Sequence, residues 1–372
     1  MSEEAVLSAL TKVPAPGAEG ESIVSLGYVR DLKVEGEKVS FRVEFPTPLT
    51  PARLAVEARC REALGERGAG AEIELESRIP ATFQPAEGEA GLAPGVKNFV
   101  AIGSGKGGVG KSTIALNVAV GLAKAGARVG LLDADVYGPS VPLMLNVTHA
   151  AYMEELKLGE LESPPPPGQP PSLTPYLAHG VHSMSIGYLI PPEQAAIWRG
   201  PMVHGALTQL LRDVTWGELD YLVIDLPPGT GDVHLSLSQQ LPLAGVAIVC
   251  TPQPVALADA RKAVGMLTKT NTECLGIVQN MAYHHCDSCG HEDDVFGSRG
   301  AEDAAEEWQI PFLGSLPLNR ELRIAGDKGV PLLARDEESP LADALWAVVD
   351  RLTSILAGKV RSRPRSLPIS RS

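Results

Sequence analysis

The chain has 372 residues, 44% of them hydrophobic and 21% charged, with a formal net charge of −13 and a pI near 5.1. Such a chain has apolar residues enough for a core and length enough for two domains, while the excess of acid disfavours nucleic acid as a partner, because gripping a phosphate backbone takes a basic surface. No run approaches the ~18 apolar residues of a membrane span, "MSEEAVLSALTKVP" carries acid where a secretory signal carries base, and five thinly spread cysteines make no disulfide framework, so a cytoplasmic protein with no membrane partner is expected.

Residues 1–83 read as a small α+β domain. "SEEAVLSALTKV" has helical spacing, and "SIVSLGYVRDLKVEGEKVSFRVEF" contains two strand-like runs around "EGEK". Val39, Phe41, Val43 and Phe45 alternate with polar residues, as one buried strand face requires. "TPARLAVEARCREALGERG" reads as one helix that Pro51 opens and Gly68 closes, and "AEIELES" alternates again. Residues 84–97, rich in Gly, Pro and Glu, read as a linker.

From residue 98 to 358 the texture changes to apolar strands separated by helical stretches: "FVAIGS", "RVGLLDAD", "YLVIDLPP", "AGVAIVCTP", "CLGIVQNM" and "PFLGSLPL". Near-continuous apolar strands indicate an α/β domain whose mostly parallel sheet is covered by helices on both faces. "ESPPPPGQPPSLTP", residues 162–175, cannot lie inside a helix or a central strand and reads as a surface excursion. Residues 359–372 are basic and broken by proline, which suggests a disordered tail.

"GKGGVGKS", residues 105–112, fits the pattern G-x-x-x-x-G-K-[ST] between a predicted strand and a predicted helix, which is the context a phosphate-binding loop needs. Gly105, Gly107, Gly108 and Gly110, with Val109 between them, let backbone N–H groups curl around phosphate oxygens. The helix N-terminus adds the positive end of its dipole. Lys111 is expected to reach the β- and γ-phosphates, Ser112 to hold Mg2+, and Thr113 to lie near the α-phosphate. Asp225 ends a strand where a magnesium ligand belongs, and the turn from Gly229 to Asp232 can sense a γ-phosphate. Asp133 and Asp135 end another strand, facing the crevice where ligands of parallel sheets bind; they are candidates for orienting the attacking water, or for capping the next turn. Lys106 is a second lysine that the ordinary loop does not require.

"HHCDSCGH", residues 284–291, places Cys286 and Cys289 within reach of one metal ion. Two thiolates are half of a four-thiolate site. Zinc completed by His284, His285 or His291, a cycling disulfide, and a cluster shared with another chain are the alternatives. Cys250 and Cys274 lie in apolar runs and read as core residues.

With these motifs, "DADVYGPSVP", "WRGPMV", "TPQPVALADARKAVGML" and "GIVQNMAYHHCDSCGHEDDVFG" in place, the chain resembles the Mrp-type iron–sulfur cluster carrier ATPases over nearly all of residues 98–335. These belong to the deviant-loop group that includes ParA, MinD and the nitrogenase iron protein. Residues 1–83 resemble, more weakly, the small domain of iron–sulfur assembly factors. The resemblance implies a homodimer that binds and hydrolyses ATP with Mg2+, with Lys106 crossing to the partner's nucleotide and Asn280 touching adenine. It also implies a [4Fe–4S] cluster held between subunits by Cys286 and Cys289 of each, and delivered to apo iron–sulfur proteins, with cluster-assembly factors as further partners. A ParA- or MinD-like positioning ATPase with a structural zinc, and a cluster-bearing reductase, are the rival readings. One departure stands out: a cysteine often found in a "TPxCP"-like turn of the small domain is absent from "TPLTP", residues 47–51, and Cys60 lies further on.

Overall fold

The structure is a computed structural model that describes residues 2–36, 38–83, 91–162, 173–191, 200–229, 231, 237–238, 240–286 and 288–362. Most of the proline-rich excursion, the first half of the linker, and residues 363–372 of the basic tail lie outside the described residues. The chain divides into two units: residues 1–82 together with 350–372, and residues 83–349.

In the smaller unit, Ser2 caps the helix Glu3–Leu10 by accepting the Ala5 N–H, and Glu3 and Glu4 sit in the first turn, where the helix dipole favours acid. Strands β1 (Val29–Glu35) and β2 (Lys38–Phe45) pair antiparallel, and β3 (Glu72–Ser77) joins β2 in parallel. The alternation read from the sequence is the burial pattern: Val39, Phe41, Val43 and Phe45 face inward against Val6, Leu10, Ile23 and Val56. The segment expected as one helix is divided. Pro51–Leu54 ends at Ala55, Val56–Ala63 follows, and Gly65–Gly70 is a 3-10 turn. Gly68 packs so tightly on the Arg61 backbone that a Cβ there would lie 1.9 Å from the Arg61 carbonyl oxygen.

Arg53 is fully buried in this unit and is matched by Asp350, which lies 2.6 Å away in the last helix, Pro340–Ser362. Thr50 donates to the same Asp350 oxygen, and Thr353 and Ser354 accept from the guanidinium. Asp350, Thr353 and Ser354 of the last helix are therefore part of the small unit, and that helix includes residues 359–362, the first four of the expected tail.

The larger unit is built on an eight-stranded sheet. Its strands are β4 (Phe99–Gly103), β5 (Val129–Asp133), β6 (Tyr176–Ala178), β7 (Val181–Ser185), β8 (Tyr221–Asp225), β9 (Leu243–Cys250), β10 (Cys274–Gln279) and β13 (Phe312–Ser315). Their spatial order is β13-β10-β9-β4-β8-β5-β7-β6, parallel throughout except for β6 against β7. Every residue of β4, β5 and β8 is buried, which is why these strands read as unbroken apolar runs. Helices flank the sheet, as expected; the helix Lys111–Lys124 buries residues on all sides. The six strands expected from the sequence are all present. The short edge pair β6–β7 was not anticipated, because "YLAHGVHSMS" is too polar and too short to stand out. A two-residue hairpin, β11 (His284–His285) with β12 (Glu292–Asp293), carries the paired cysteines.

Candidate nucleotide and metal-cluster site

The order of the strands places β4 at the centre of the sheet, with β8 and β9 as neighbours, so the ends of β4, β5 and β8 converge on one crevice. The loop that leaves β4 runs from Ser104 to Gly110 and enters the helix that begins at Lys111. Gly108 (φ +79°) and Gly110 (φ +87°) are left-handed, a conformation that a Cβ would strain. Gly105 lies against the helix Pro254–Lys269, where a Cβ would come 2.2 Å from the carbonyl carbon of Asp259. The loop is tied from two sides. Gly229, after β8, donates its N–H to the Ser104 carbonyl at 2.9 Å, and the Asn280 side-chain amide donates to the Val109 carbonyl at 2.8 Å.

Lys111 is buried and donates to Asp225 Oδ1 at 2.5 Å, with Ser112 Oγ at 3.2 Å and an Asp135 oxygen at 3.9 Å. Burial pushes both Asp225 and Asp135 above the usual carboxylate range, and the Lys111 ammonium opposes the shift in each. Asp225 Oδ2 is buried without a hydrogen-bond partner. An orphaned, buried carboxylate oxygen beside a serine hydroxyl is an all-oxygen donor pair of the kind that suits Mg2+. Ser112 and Asp225 therefore fit the ion that accompanies a nucleotide.

Asp133 and Asp135 part company. Asp133 is fully buried, and its oxygens accept from Val141 N–H (3.2 Å), Ser185 Oγ (3.0 Å) and Asp135 N–H (3.2 Å). Burial, with the Asp225 charge added, pushes it up to about 7. It holds together the backbone that follows β5, while Asp135 faces Lys111. Lys106 is half-buried, and its carbonyl accepts the Ser104 hydroxyl at 3.0 Å. Thr113 is half-buried in the first turn of the helix. Of the turn expected to sense a γ-phosphate, residues 229–232, Thr230 and Asp232 lie outside the described residues.

The cysteines sit on the β11–β12 hairpin. Cys286 N–H donates to the His291 carbonyl at 2.9 Å, and Gly290 N–H donates back to the Cys286 carbonyl at 2.8 Å, with Gly290 left-handed at φ +71°. Cys289 is exposed and Cys286 half-buried. Among the described residues, no group of three His, Cys, Asp or Glu side chains is placed to hold a metal ion. Burial pushes the Cys60 and Cys250 thiols up to about 12 and that of Cys274 up to about 11. Cys250 is a core residue as expected, whereas Cys274 is only half-buried. Cys60 lies inside the small unit's core, so it supplies no exposed substitute for the missing turn cysteine.

One residue that sequence reading passed over is Gln279. Its side chain is completely buried, donates to the Ser298 carbonyl at 2.6 Å and accepts the Ala301 N–H at 2.8 Å. A glutamine in an otherwise apolar strand was the available signal.

Comparison with known proteins gives matches over both units. The family model described as NUBPL iron-transfer P-loop NTPase matches residues 95–353, and the model described as iron–sulfur cluster assembly protein matches residues 3–75. An iron–sulfur cluster carrier protein of Synechocystis is 42% identical over 362 residues, covering 97% of this chain and 98% of its own. One of Deinococcus radiodurans is 42% identical over 371 residues, covering 98% and 99%. Among solved structures, a nucleotide-binding protein from Archaeoglobus fulgidus in complex with ADP is 36% identical with a TM-score of 0.53, covering 66% of this chain and 91% of its own.

Proposed function

This chain belongs to the NUBPL-type iron-transfer P-loop NTPases and carries an iron–sulfur assembly domain, and from that premise we propose that it binds and hydrolyses ATP and carries a [4Fe–4S] cluster to apo-proteins in the cytoplasm. The observation that carries the reading is the combination, within one unit, of a complete phosphate loop and a cysteine pair, Cys289 exposed and Cys286 half-buried, around which no group of three metal-ligating side chains is gathered among the described residues.

The loop's glycines and the start of the helix Lys111–Lys124 bind the phosphates, and Lys111 moves its charge from Asp225 toward the γ-phosphate. Mg2+, held by Ser112 and Asp225, would supply charge neutralisation on the phosphate oxygens. Asp135 is the carboxylate placed to orient water. Asp133 serves it indirectly, by accepting its backbone N–H. Asn280 has given one amide hydrogen to Val109, and keeps a second hydrogen and its oxygen to pair with the edge of an adenine. Lys106 reaches the nucleotide of a second copy.

The cluster is the cargo. Two copies of the chain related by a two-fold axis bring Cys286 and Cys289 from each to one place, completing four thiolates. A cluster held at the edge of two subunits can leave without unfolding either.

Anaerobic reconstitution with iron and sulfide, followed by metal analysis and native mass, tests this. About four irons and four sulfides per dimer are expected, and both are lost in Cys286→Ala/Cys289→Ala. One zinc per monomer, without sulfide and without dimerisation, overturns the reading.

A further inference from the structure

Gln279 ends β10 and Asn280 follows it directly, and their side chains bond to different segments of the chain. Asn280 is 4% exposed. Its amide nitrogen bonds the Val109 carbonyl and lies against Gly110 so closely that a Cβ there would sit 2.2 Å from it. Gln279 is 0% exposed. It grips the Ser298 carbonyl and the Ala301 N–H, the far end of the excursion that begins at Met281 and carries Cys286 and Cys289. The side-chain amide of Gln279 thus closes the base of the cysteine-bearing segment, and that of Asn280 holds the phosphate loop.

The backbone stiffens the connection. Asn280 N–H donates to the Cys250 carbonyl at 2.8 Å and Leu316 N–H to the Gln279 carbonyl at 2.8 Å. Beyond them, Ala282 N–H donates to the Leu316 carbonyl at 2.9 Å and Leu318 N–H to the Tyr283 carbonyl at 2.7 Å. From Asn280 to His284, at the foot of the hairpin, the chain is laced to its neighbours, so a shift of the loop at Val109 has few places to dissipate before it reaches Cys286.

We propose that Gln279 and Asn280 are positioning residues that tie the phosphate loop to the cysteine hairpin, so that occupancy of the loop sets how freely Cys286 and Cys289 are exposed. The inference rests on the nucleotide-binding reading above and extends it with a route from the loop to the cysteines. Phosphates that draw the Val109–Gly110 peptide toward themselves alter the bond to Asn280; the strand end carries the change to Gln279, which tightens or loosens the base of the excursion. Buried polar groups of this kind cost free energy when left unpaired, so the two amides move with their partners rather than letting go.

The test uses the full-length, metal-free protein, so that it does not depend on cluster loading. Two quantities are measured with and without ATP and Mg2+: the alkylation rate of Cys286 and Cys289 by iodoacetamide, read by mass spectrometry, and the binding of a fluorescent ATP analogue. The wild type should show a nucleotide-dependent change in alkylation rate of about five-fold or more, the scale of ordinary coupling between sites. Gln279→Glu keeps the acceptor for Ala301 and loses the donor to Ser298. It should bind the analogue as the wild type does, while its nucleotide-dependent change falls below about two-fold. Gln279→Met, which removes both bonds at similar volume, should do the same. Full nucleotide dependence in both variants, or none in the wild type, overturns the proposal. Hydrogen exchange of the wild type provides a readout that needs no variant. Nucleotide should slow exchange in residues 105–113 and alter it in 284–293 together; a change confined to the loop overturns the link. Failure of the analogue to bind the wild type would instead remove the nucleotide reading itself, and is seen separately.

Discussion

Lys111 and Asp225 form a 2.5 Å charge-assisted hydrogen bond between a side chain that is 7% exposed and one that is 0% exposed. Asp135 lies on the same ammonium at 3.9 Å. One cation thus serves two carboxylates that burial drives toward protonation, and a phosphate entering the loop competes with both for it.

Lys111→Met should therefore lose more than nucleotide binding. Removing one partner of a buried ion pair costs about 3–5 kcal/mol when the other stays charged. Asp225 and Asp135 already have raised carboxyl affinities for protons, so their stabilising contribution is present at low pH and lost as pH rises. The melting temperature of the variant should fall below that of the wild type at pH 7.5 and recover part of the gap at pH 5. ATP turnover should drop at least ~100-fold.

Asp133 and Asp135 should separate cleanly. The folded-state value of about 7 for Asp133 lies above its ordinary 3.8. Stability from this group is full below about pH 4 and declines as pH rises through about 7. Asp133→Asn should flatten that decline in denaturant titrations taken from pH 4.5 to 8. Asp135→Asn should leave the decline in place, bind ATP, and lose hydrolysis by about 100-fold or more.

Thiol labelling should sort the five cysteines into two groups. At pH 8, Cys286 and Cys289 of the native metal-free protein should react with a maleimide within minutes, while Cys60, Cys250 and Cys274, with thiols pushed to about 11 or 12, react far more slowly, the buried Cys60 and Cys250 only after unfolding. Cys60→Ala should retain the full iron and sulfide content. Fast native labelling at Cys60 would contradict its place in the core.

Arg53 should report on the end of the chain. A fragment of residues 1–82 lacks Asp350 and leaves a buried guanidinium without its counter-charge. It should show less helix by circular dichroism than its share of the intact protein and no cooperative melt. In the full chain, Arg53→Met should cost the small unit about 3–5 kcal/mol, and Arg53→Met/Asp350→Leu should restore much of it.

Gly110→Ala should abolish nucleotide binding with a folded core intact. The added methyl group meets the Asn280 amide at 2.2 Å, on a residue held at φ +87°. Gly107→Ala has only the Pro228 ring at 4.0 Å before it and should be milder. Isothermal titration with an ATP analogue compares the two.

The six apolar strands, the phosphate loop and the paired cysteines were legible because each is local. A strand buried on both faces shows as an unbroken apolar run, and a loop that cradles phosphate needs glycine and lysine at set spacing. The helix expected across residues 51–68 is divided at Ala55 and stops at Ala63, short of Gly68, where Gly65 adopts φ +62° and Gly68 packs on Arg61. Local pattern sees glycine there as an end signal, and packing decides where the end falls.

By itself the sequence determined the α/β class, the loop and its lysines, and a cysteine pair too small to complete a four-thiolate site. The tertiary structure decided how those parts are used. It turned Asp133 inward to brace β5 while Asp135 met Lys111, and buried Cys60 beyond reach. It drew Asp350, some 300 residues away, onto Arg53, and set Gln279 and Asn280 between the loop and the hairpin. These are pairings between residues far apart in the chain. Their worth depends on burial, which makes a charge or an amide costly unless its partner is present, and burial at a given residue is fixed only when the whole sheet has closed around it.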